Sequence, residues 1–126
     1  MIGEECDPMA DTIFGKITRG EVPATFVYED DQCVAIDDIN PQAPTHILVI
    51  PRKPIPRLVD ASADDQVLLG HLLLVARELA EQRGVGDGFR IVINNGEGGG
   101  QTVFHLHVHL LAGAPMAEAG LAPDMQ

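Results

Sequence analysis

Three histidines alternate with aliphatic residues near the end of the chain, and this pattern constrains the fold more than any other. His105, His107 and His109 are separated by Leu106 and Val108. Because successive side chains of a β-strand point to opposite faces, the alternation predicts a strand with three imidazoles on one face and aliphatic side chains in the core. Imidazole can act as a nucleophile, a proton donor or a metal ligand near neutral pH. The sequence therefore predicts a functional site on this strand.

A glycine-rich segment leads into this strand and indicates what the site binds. Residues 94–102 read NNGEGGGQT, and glycine permits backbone conformations in which several N–H groups converge on an anion. Such a loop beside imidazoles favours a phosphate group. Two alternatives are a polar strand face with no function and a zinc site, since an H-x-H pair on a strand suits zinc. The glycine loop favours an anion over a cation, so no metal and no cofactor are expected.

Composition limits the class of protein. The 126 residues suffice for a single domain with a core. The formal net charge of −11 opposes binding to long nucleic acid, which needs a basic face. No apolar run is long enough to predict a membrane span. Cysteine occurs only at Cys6 and Cys33, so we expect no structural disulfide and a reducing cytoplasmic location.

Apolar periodicity and turn residues predict an α+β domain built on an antiparallel sheet. Ser62 and Asp65 resemble a capping box that opens a long helix, and Asp11 resembles the N-cap of a short one. The predicted elements are a helix from Asp11 to Gly20, strands at Phe26–Tyr28, Cys33–Ile36 and His46–Ile50, a helix from Ser62 to about Arg83, and strands at Phe89–Ile93 and Val103–Leu111.

The long helix carries more apolar surface than one face holds. Leu69, Leu73 and Leu74 lie outside its main apolar stripe, and a helix that is apolar nearly all round must be covered on more than one side. A second subunit would provide that cover. A broad but ordinary contact with the core is an equally good interpretation of this feature alone.

The triad strand, together with residues 11–17 (DTIFGKI) and 41–46 (PQAPTH), resembles the histidine-triad (HIT) family and its Hint branch. The resemblance extends from Asp11 to Gly113, which leaves 1–10 as a flexible N-terminal tail and 114–126 as a C-terminal tail. It implies a HIT-like fold with a five-stranded antiparallel sheet, two helices, and sheets joined across a homodimer. It also implies an enzyme that binds purine nucleotides of the AMP or GMP type and hydrolyses nucleoside phosphoramidates.

The resemblance assigns catalytic roles to five positions. His107 would be the nucleophile, whose Nε2 attacks the α-phosphorus to form a nucleotidyl-histidine. His109 would contact the phosphate and the bridging atom. His105 and His46 would orient the nucleophile through hydrogen bonds. Thr102 stands where serine is common, which keeps the hydroxyl but puts leaving-group specificity in question.

The resemblance also implies the nucleotide contacts. Asp38 would hold the ribose hydroxyls and Ile39 would lie near the base. Each assignment has a structural alternative, because Asp38 also suits a solvated turn and the apolar positions suit an ordinary core. The phosphate positions are Asn94, Gly100, Gln101 and Thr102 with His107 and His109, and the base-pocket positions are Ile13, Phe14, Ile17, Val22 and Ile36.

Other functions stay open from the sequence. One is a nucleotide-binding interaction or regulatory protein with little catalysis. Another is a nucleotidyl transferase, although distant transferase relatives have a glutamine where His109 stands. A zinc-dependent hydrolase is a further alternative. His71, in the long helix, matches no catalytic position and is interpreted as a surface or interface histidine.

Overall fold

The computed structural model of the chain describes residues 12–116. Three parts of the chain lie outside the described residues: the predicted N-terminal tail 1–10, Asp11, and residues 117–126 of the predicted C-terminal tail. The α-helices are α1 (Ile13–Thr18) and α2 (Gln66–Gln82), and the strands are β1 (Tyr28–Glu29), β2 (Cys33–Asp37), β3 (Thr45–Pro51), β4 (Phe89–Val92) and β5 (Val108–Ala112).

The five strands form one antiparallel sheet in the order β1-β2-β3-β5-β4. The predicted fold class is confirmed. β3 and β5 are central, and their register places Leu48 opposite His109. Two-residue alternation sends one set of side chains to each face of the sheet. His46 and His109 therefore lie on adjacent central strands of the sheet.

The sheet separates two apolar clusters. On one face, α2 packs its buried residues, including Leu72 and Val75, against Ile47 and Val49 of β3. On the other face, a smaller cluster lies with α1 and contains the buried residues Phe14, Ile17, Val34, Ile36, Leu48 and Ile50. Leu106, Val108 and Leu110 belong to the α2 side, as the alternation predicts. The histidines between them consequently belong to the α1 side.

The triad strand begins later than predicted. The pattern indicated a strand from Val103, whereas β5 begins at Val108. The reason lies in the neighbouring strand, because β3 ends at Pro51, which has no N–H to continue the ladder. The Leu106 N–H instead donates to the carbonyl of Ile55, 2.7 Å away. The chain before Val108 is thus held by the loop that follows β3.

The helix starts also differ in detail. Thr12, rather than Asp11, caps α1, and its side-chain oxygen accepts the Gly15 N–H at 3.0 Å. The capping box of Ser62 and Asp65 is confirmed, but it opens a short 3₁₀ turn (Ala63–Asp65) that runs into α2. Within residues 12–116, no helix is long and apolar enough to cross a membrane.

Candidate active site

The sheet brings three histidines together on the α1 face. His46 lies on β3, His109 lies beside it on β5, and His107 lies just before β5; all three are buried. The ring centroids of His46 and His109 are 5.2 Å apart, and those of His107 and His109 are 5.0 Å apart. Phe14 of α1 contacts the His107 ring edge-on at 4.8 Å. Two of the three triad histidines therefore lie together with His46, and α1 packs against one side of this cluster.

One hydrogen bond fixes which nitrogen of His107 can react. Its Nδ1 lies 2.7 Å from the backbone carbonyl of His105. A carbonyl oxygen only accepts, so Nδ1 must carry the proton and donate it. In the neutral ring the lone pair is then on Nε2. The backbone at His105 thereby sets the tautomer that a nucleophilic Nε2 requires.

The side chain of His105 points to the central strand instead. Its Nε2 donates to the carbonyl of Pro51 at 2.7 Å, and the residue is fully buried. Burial lowers the pKa of His105, and the bond to Pro51 opposes this only in part. His105 was expected to orient His107 through a hydrogen bond; in the structure the backbone carbonyl of His105 makes that bond, while its ring anchors the chain to β3.

His46 and His109 are joined by a hydrogen bond, and a backbone N–H determines which of the two rings donates. The backbone N–H of Gln42 donates to His46 Nδ1 at 3.0 Å, so the proton of neutral His46 is on Nε2. That Nε2 lies 2.9 Å from His109 Nδ1. His109 Nδ1 is then the acceptor, and the proton of neutral His109 is on Nε2. His46 was expected to orient His107, but its ring contacts His109.

Asp38 lies beside this pair, but its negative charge is not enough to raise the pKa of His46. The carboxylate is buried, its Oδ1 accepts the Asn40 N–H at 2.8 Å, and its Oδ2 is 3.4 Å from His46 Nε2. Burial lowers the pKa of His46, and the attraction of Asp38 opposes this less strongly. Neutral His46 is therefore favoured, which keeps the His46–His109 hydrogen bond directed as described.

Asp38, His46 and His109 also supply metal-ligand atoms within 4.8 Å of one another. A metal ion there would have to replace the hydrogen bond between the two rings. The chemistry of this donor set permits such an ion, so the expected absence of a metal stays a prediction.

The glycine loop is held by Gln101. The Gln101 Oε1 accepts the Gly96 N–H at 2.8 Å, and its Nε2 donates to the carbonyls of Pro56 and Val103 at 2.8 and 3.0 Å. Gly96 and Gly100 have positive φ angles of 77° and 94°, which glycine adopts without strain. All three side-chain contacts of Gln101 go to the backbone of the chain itself. Gln101 thus shapes the loop, and its contact with a phosphate stays a prediction.

The other residues predicted to contact the nucleotide differ in their exposure to solvent. Ile39 is 98% exposed and Thr102 is also exposed, whereas Asn94 is half-buried. Of the base-pocket positions, Phe14, Ile17 and Ile36 are buried in the α1 cluster, Val22 packs against that cluster, and Ile13 is 45% exposed. Most of these positions therefore also serve the core. Gly100 is exposed in the loop.

Two contributors to the site act through the backbone and were not detectable from side-chain identity. Gln42 acts through its backbone N–H, and Pro51 acts through its carbonyl. Asn95 accepts the Val59 N–H with its side chain at 2.8 Å and ties the loop to the turn before α2. A cavity of about 490 Å³ beside Phe89 and Gly113 shares no residue with the histidine cluster or the glycine loop.

The model of the HIT domain family matches residues 19–116. The chain belongs to the HIT family. An uncharacterized HIT-like protein of Synechocystis is 61% identical over 107 residues, which cover 85% of this chain and 94% of that protein. The purine nucleoside phosphoramidase of Escherichia coli is 50% identical over 107 residues, which cover 84% of this chain and 90% of the enzyme.

Solved HIT structures have the same fold. A HIT family hydrolase from Legionella pneumophila superposes with a TM-score of 0.85 at 46% identity, covering 86% of this chain and 98% of the other. A histidine triad protein from Clostridium difficile gives 0.82 at 43% identity, covering 87% and 96%. This HIT chain is thus similar to hydrolases of its family over nearly their whole length.

Proposed function

We propose that this HIT protein hydrolyses purine nucleoside phosphoramidates, in which an AMP-type nucleotide is joined to an amine. The observation that carries the proposal is the 2.7 Å hydrogen bond from His107 Nδ1 to the His105 carbonyl, which leaves the lone pair on Nε2. Identity of 50% to a purine nucleoside phosphoramidase supports the same substrate class. The glycine loop beside the triad supports a phosphate ligand.

In the first step, His107 Nε2 attacks the α-phosphorus. The bond between Nε2 and phosphorus forms as the P–N bond to the amine breaks. The carbonyl of His105, which accepts the Nδ1–H, stabilises the positive charge that develops on the ring. The Nε2–H of His109 donates a hydrogen bond to the departing nitrogen, which takes up a proton from solvent. Covalent catalysis divides one difficult displacement into two easier ones.

In the second step, water attacks the same phosphorus and the bond to His107 Nε2 breaks. The nucleotide leaves, the ring returns to its neutral form, and the proton released by water balances the proton taken up by the amine. The tautomers set by Gln42 and His105 are the same before and after turnover. No proton therefore needs to be rearranged within the cluster between cycles.

The proposal also assigns contacts to the ribose, the phosphate and the leaving group of the substrate. Asp38 would bind the ribose hydroxyls, since a carboxylate that accepts the Asn40 N–H still has acceptor capacity. Loop N–H groups near Gly100 and the Thr102 hydroxyl would contact the phosphate and the leaving group. The active form would be a homodimer in a reducing cytoplasm.

The direct assay compares the wild type with His107→Ala on an AMP-linked fluorogenic amine. We expect the variant to lose at least about 10³-fold in kcat, because the nucleophile is absent. His71→Gln is the matched control, because His71 lies on α2 at the opposite face of the sheet. Equal rates for the wild type and His107→Ala would contradict the proposal. AMP binding without turnover by the wild type would favour the nucleotide-binding interaction protein instead.

A further inference from the structure

A second cluster of polar side chains lies on the α2 side of the sheet, away from the histidine triad. Asp30 is in the turn before β2, Cys33 is the first residue of β2, and His71 is in the middle of α2. Their potential ligand atoms, one per residue, all lie within 4.8 Å of one another. Nothing in the proposed phosphoramidase mechanism uses these three residues.

Asp30 is the centre of this cluster. Its Oδ2 lies 2.6 Å from His71 Nε2 and accepts the Tyr28 hydroxyl at 2.8 Å. Its Oδ1 accepts the backbone N–H groups of Gln32 and Cys33 at 2.7 and 2.8 Å. The turn is therefore rigid, and it presents the carboxylate and the thiol side by side below the helix.

We propose that Asp30, Cys33 and His71 form a site for a zinc ion. A thiolate, an imidazole and a carboxylate are the donor types that zinc binds in proteins. Two residues separate Asp30 from Cys33, which is the ligand spacing of many structural zinc turns. The side chains of His71 and Asp30 are 28% and 23% exposed, so the ion can enter from solvent and keep a water as its fourth ligand.

Binding would exchange protons for the ion. The Cys33 thiol releases its proton to solvent, and the His71 proton moves from Nε2 to Nδ1 so that Nε2 can donate its lone pair. The 2.6 Å contact between His71 and Asp30 opens as the ion is inserted between them. The ion then links the turn before β2 to α2, two parts of the fold that the Asp30–His71 hydrogen bond already joins.

Protons compete with the ion at this site. Burial raises the pKa of Cys33 to about 12, and nearby Asp30 adds to the shift. The cluster also faces Tyr28 on β1 and the charges of Arg52 after β3 and Glu78 on α2. Since the thiol proton must leave, the affinity for the ion should increase as the pH rises.

Cobalt titration tests the site, because Co²⁺ replaces zinc and a thiolate ligand adds a near-ultraviolet charge-transfer band. The experiment uses untagged Cys6→Ser protein, which leaves Cys33 as its only thiol. We expect the band to saturate at one Co²⁺ per chain and to disappear when zinc is added. His109→Gln, which removes a ligand from the other histidine cluster, should leave the band unchanged.

Two further variants distinguish this site from adventitious binding. In the same background, Cys33→Ala should abolish the band, and His71→Gln should weaken cobalt binding at least tenfold. Zinc should raise the Tm of the Cys6→Ser protein but not that of its His71→Gln derivative. A titration without a thiolate band, or a cobalt affinity and a zinc-induced Tm shift that are unchanged in the His71→Gln protein, would overturn the proposal. Neither result depends on turnover, so failure here leaves the phosphoramidase proposal intact.

Discussion

At the scale of the residue, the backbone determines the chemistry of the imidazoles. The His105 carbonyl and the Gln42 N–H each bind one ring nitrogen, and together they assign the protons of His107, His46 and His109. Since a peptide group cannot exchange its donor and acceptor roles, the backbone fixes the protons of His107 and His46, and the proton of His109 follows from the His46 ring. A lone pair at Nε2 of His107 and an N–H at Nε2 of His109 follow from it.

Substitution of His46 tests whether this assignment matters for turnover. His46→Ala removes the donor that holds His109 Nδ1, so we expect kcat to fall on the order of 10²-fold with little change in KM. His46→Gln keeps an N–H donor on its side chain and should recover part of the loss. Steady-state kinetics of both variants provide the measurement. Equal losses for alanine and glutamine would show that the directed hydrogen bond has no part in catalysis.

The sequence predicted that the triad histidines share one face but not how each one is used. Alternation alone placed the triad on one face, which the buried positions of Leu106 and Val108 confirm. Neither the Pro51 carbonyl nor the Gln42 N–H could be inferred, because every residue has these groups and only the folded loop shows where they point. The exposed position of Ile39 was equally inaccessible to pattern analysis.

At the scale of the element, the glycine loop depends on one amide side chain. Gln101 is buried, and its amide meets one N–H donor and two carbonyl acceptors. A loop with glycines at positive φ has little conformational preference of its own. The three hydrogen bonds of the Gln101 amide therefore determine the conformation of the loop. The triad strand depends similarly on the loop after β3, where Ile55 accepts the Leu106 N–H.

Gln101→Glu keeps the size of the side chain but replaces its N–H donors with a carboxylate oxygen. One carboxylate oxygen still accepts the Gly96 N–H, but the other faces the carbonyls of Pro56 and Val103 and repels them. We expect a loss of about 2–3 kcal/mol in the free energy of unfolding and a higher KM. Urea denaturation checks the first effect, and exposed Gln82→Glu controls for added charge. Unchanged stability and KM would mean that the loop does not need the amide.

At the scale of the whole molecule, the apolar surface predicts self-association. Leu73 and Leu74 of α2 are 46% and 59% exposed, and β4 is an edge strand of the sheet. In a two-fold dimer through this surface, Leu73→Glu would place each carboxylate near its own copy or near apolar side chains. We expect a dimeric mass for the wild type and a monomeric or unfolded variant by light scattering after size exclusion. Val59→Glu, at an exposed turn, is the control. A monomeric wild type at micromolar concentration would contradict the prediction.

Buried neutral histidines also make the fold sensitive to acid. Burial lowers the folded-state pKa of His46 and His105 from the ordinary value of 6.5. Below that value the unfolded chain binds more protons than the folded one, so the stability present at higher pH is lost as the pH falls toward the folded pKa values. Urea unfolding at about pH 7.5 and 5.5 should give lower stability at the acid value. His105→Gln should reduce the difference, and a pH-independent stability would refute this explanation.

The proposed mechanism requires a covalent bond between His107 Nε2 and phosphorus. Its most direct test is an alkaline quench of the wild type during turnover of an AMP-amine substrate, followed by mass spectrometry of the tryptic peptide that begins at Ile91. Fragmentation distinguishes His105, His107 and His109 within that peptide. We predict an adenylyl group on His107 that is absent from His107→Ala. An adduct on another histidine, or turnover by His107→Ala at the wild-type rate, would contradict the mechanism.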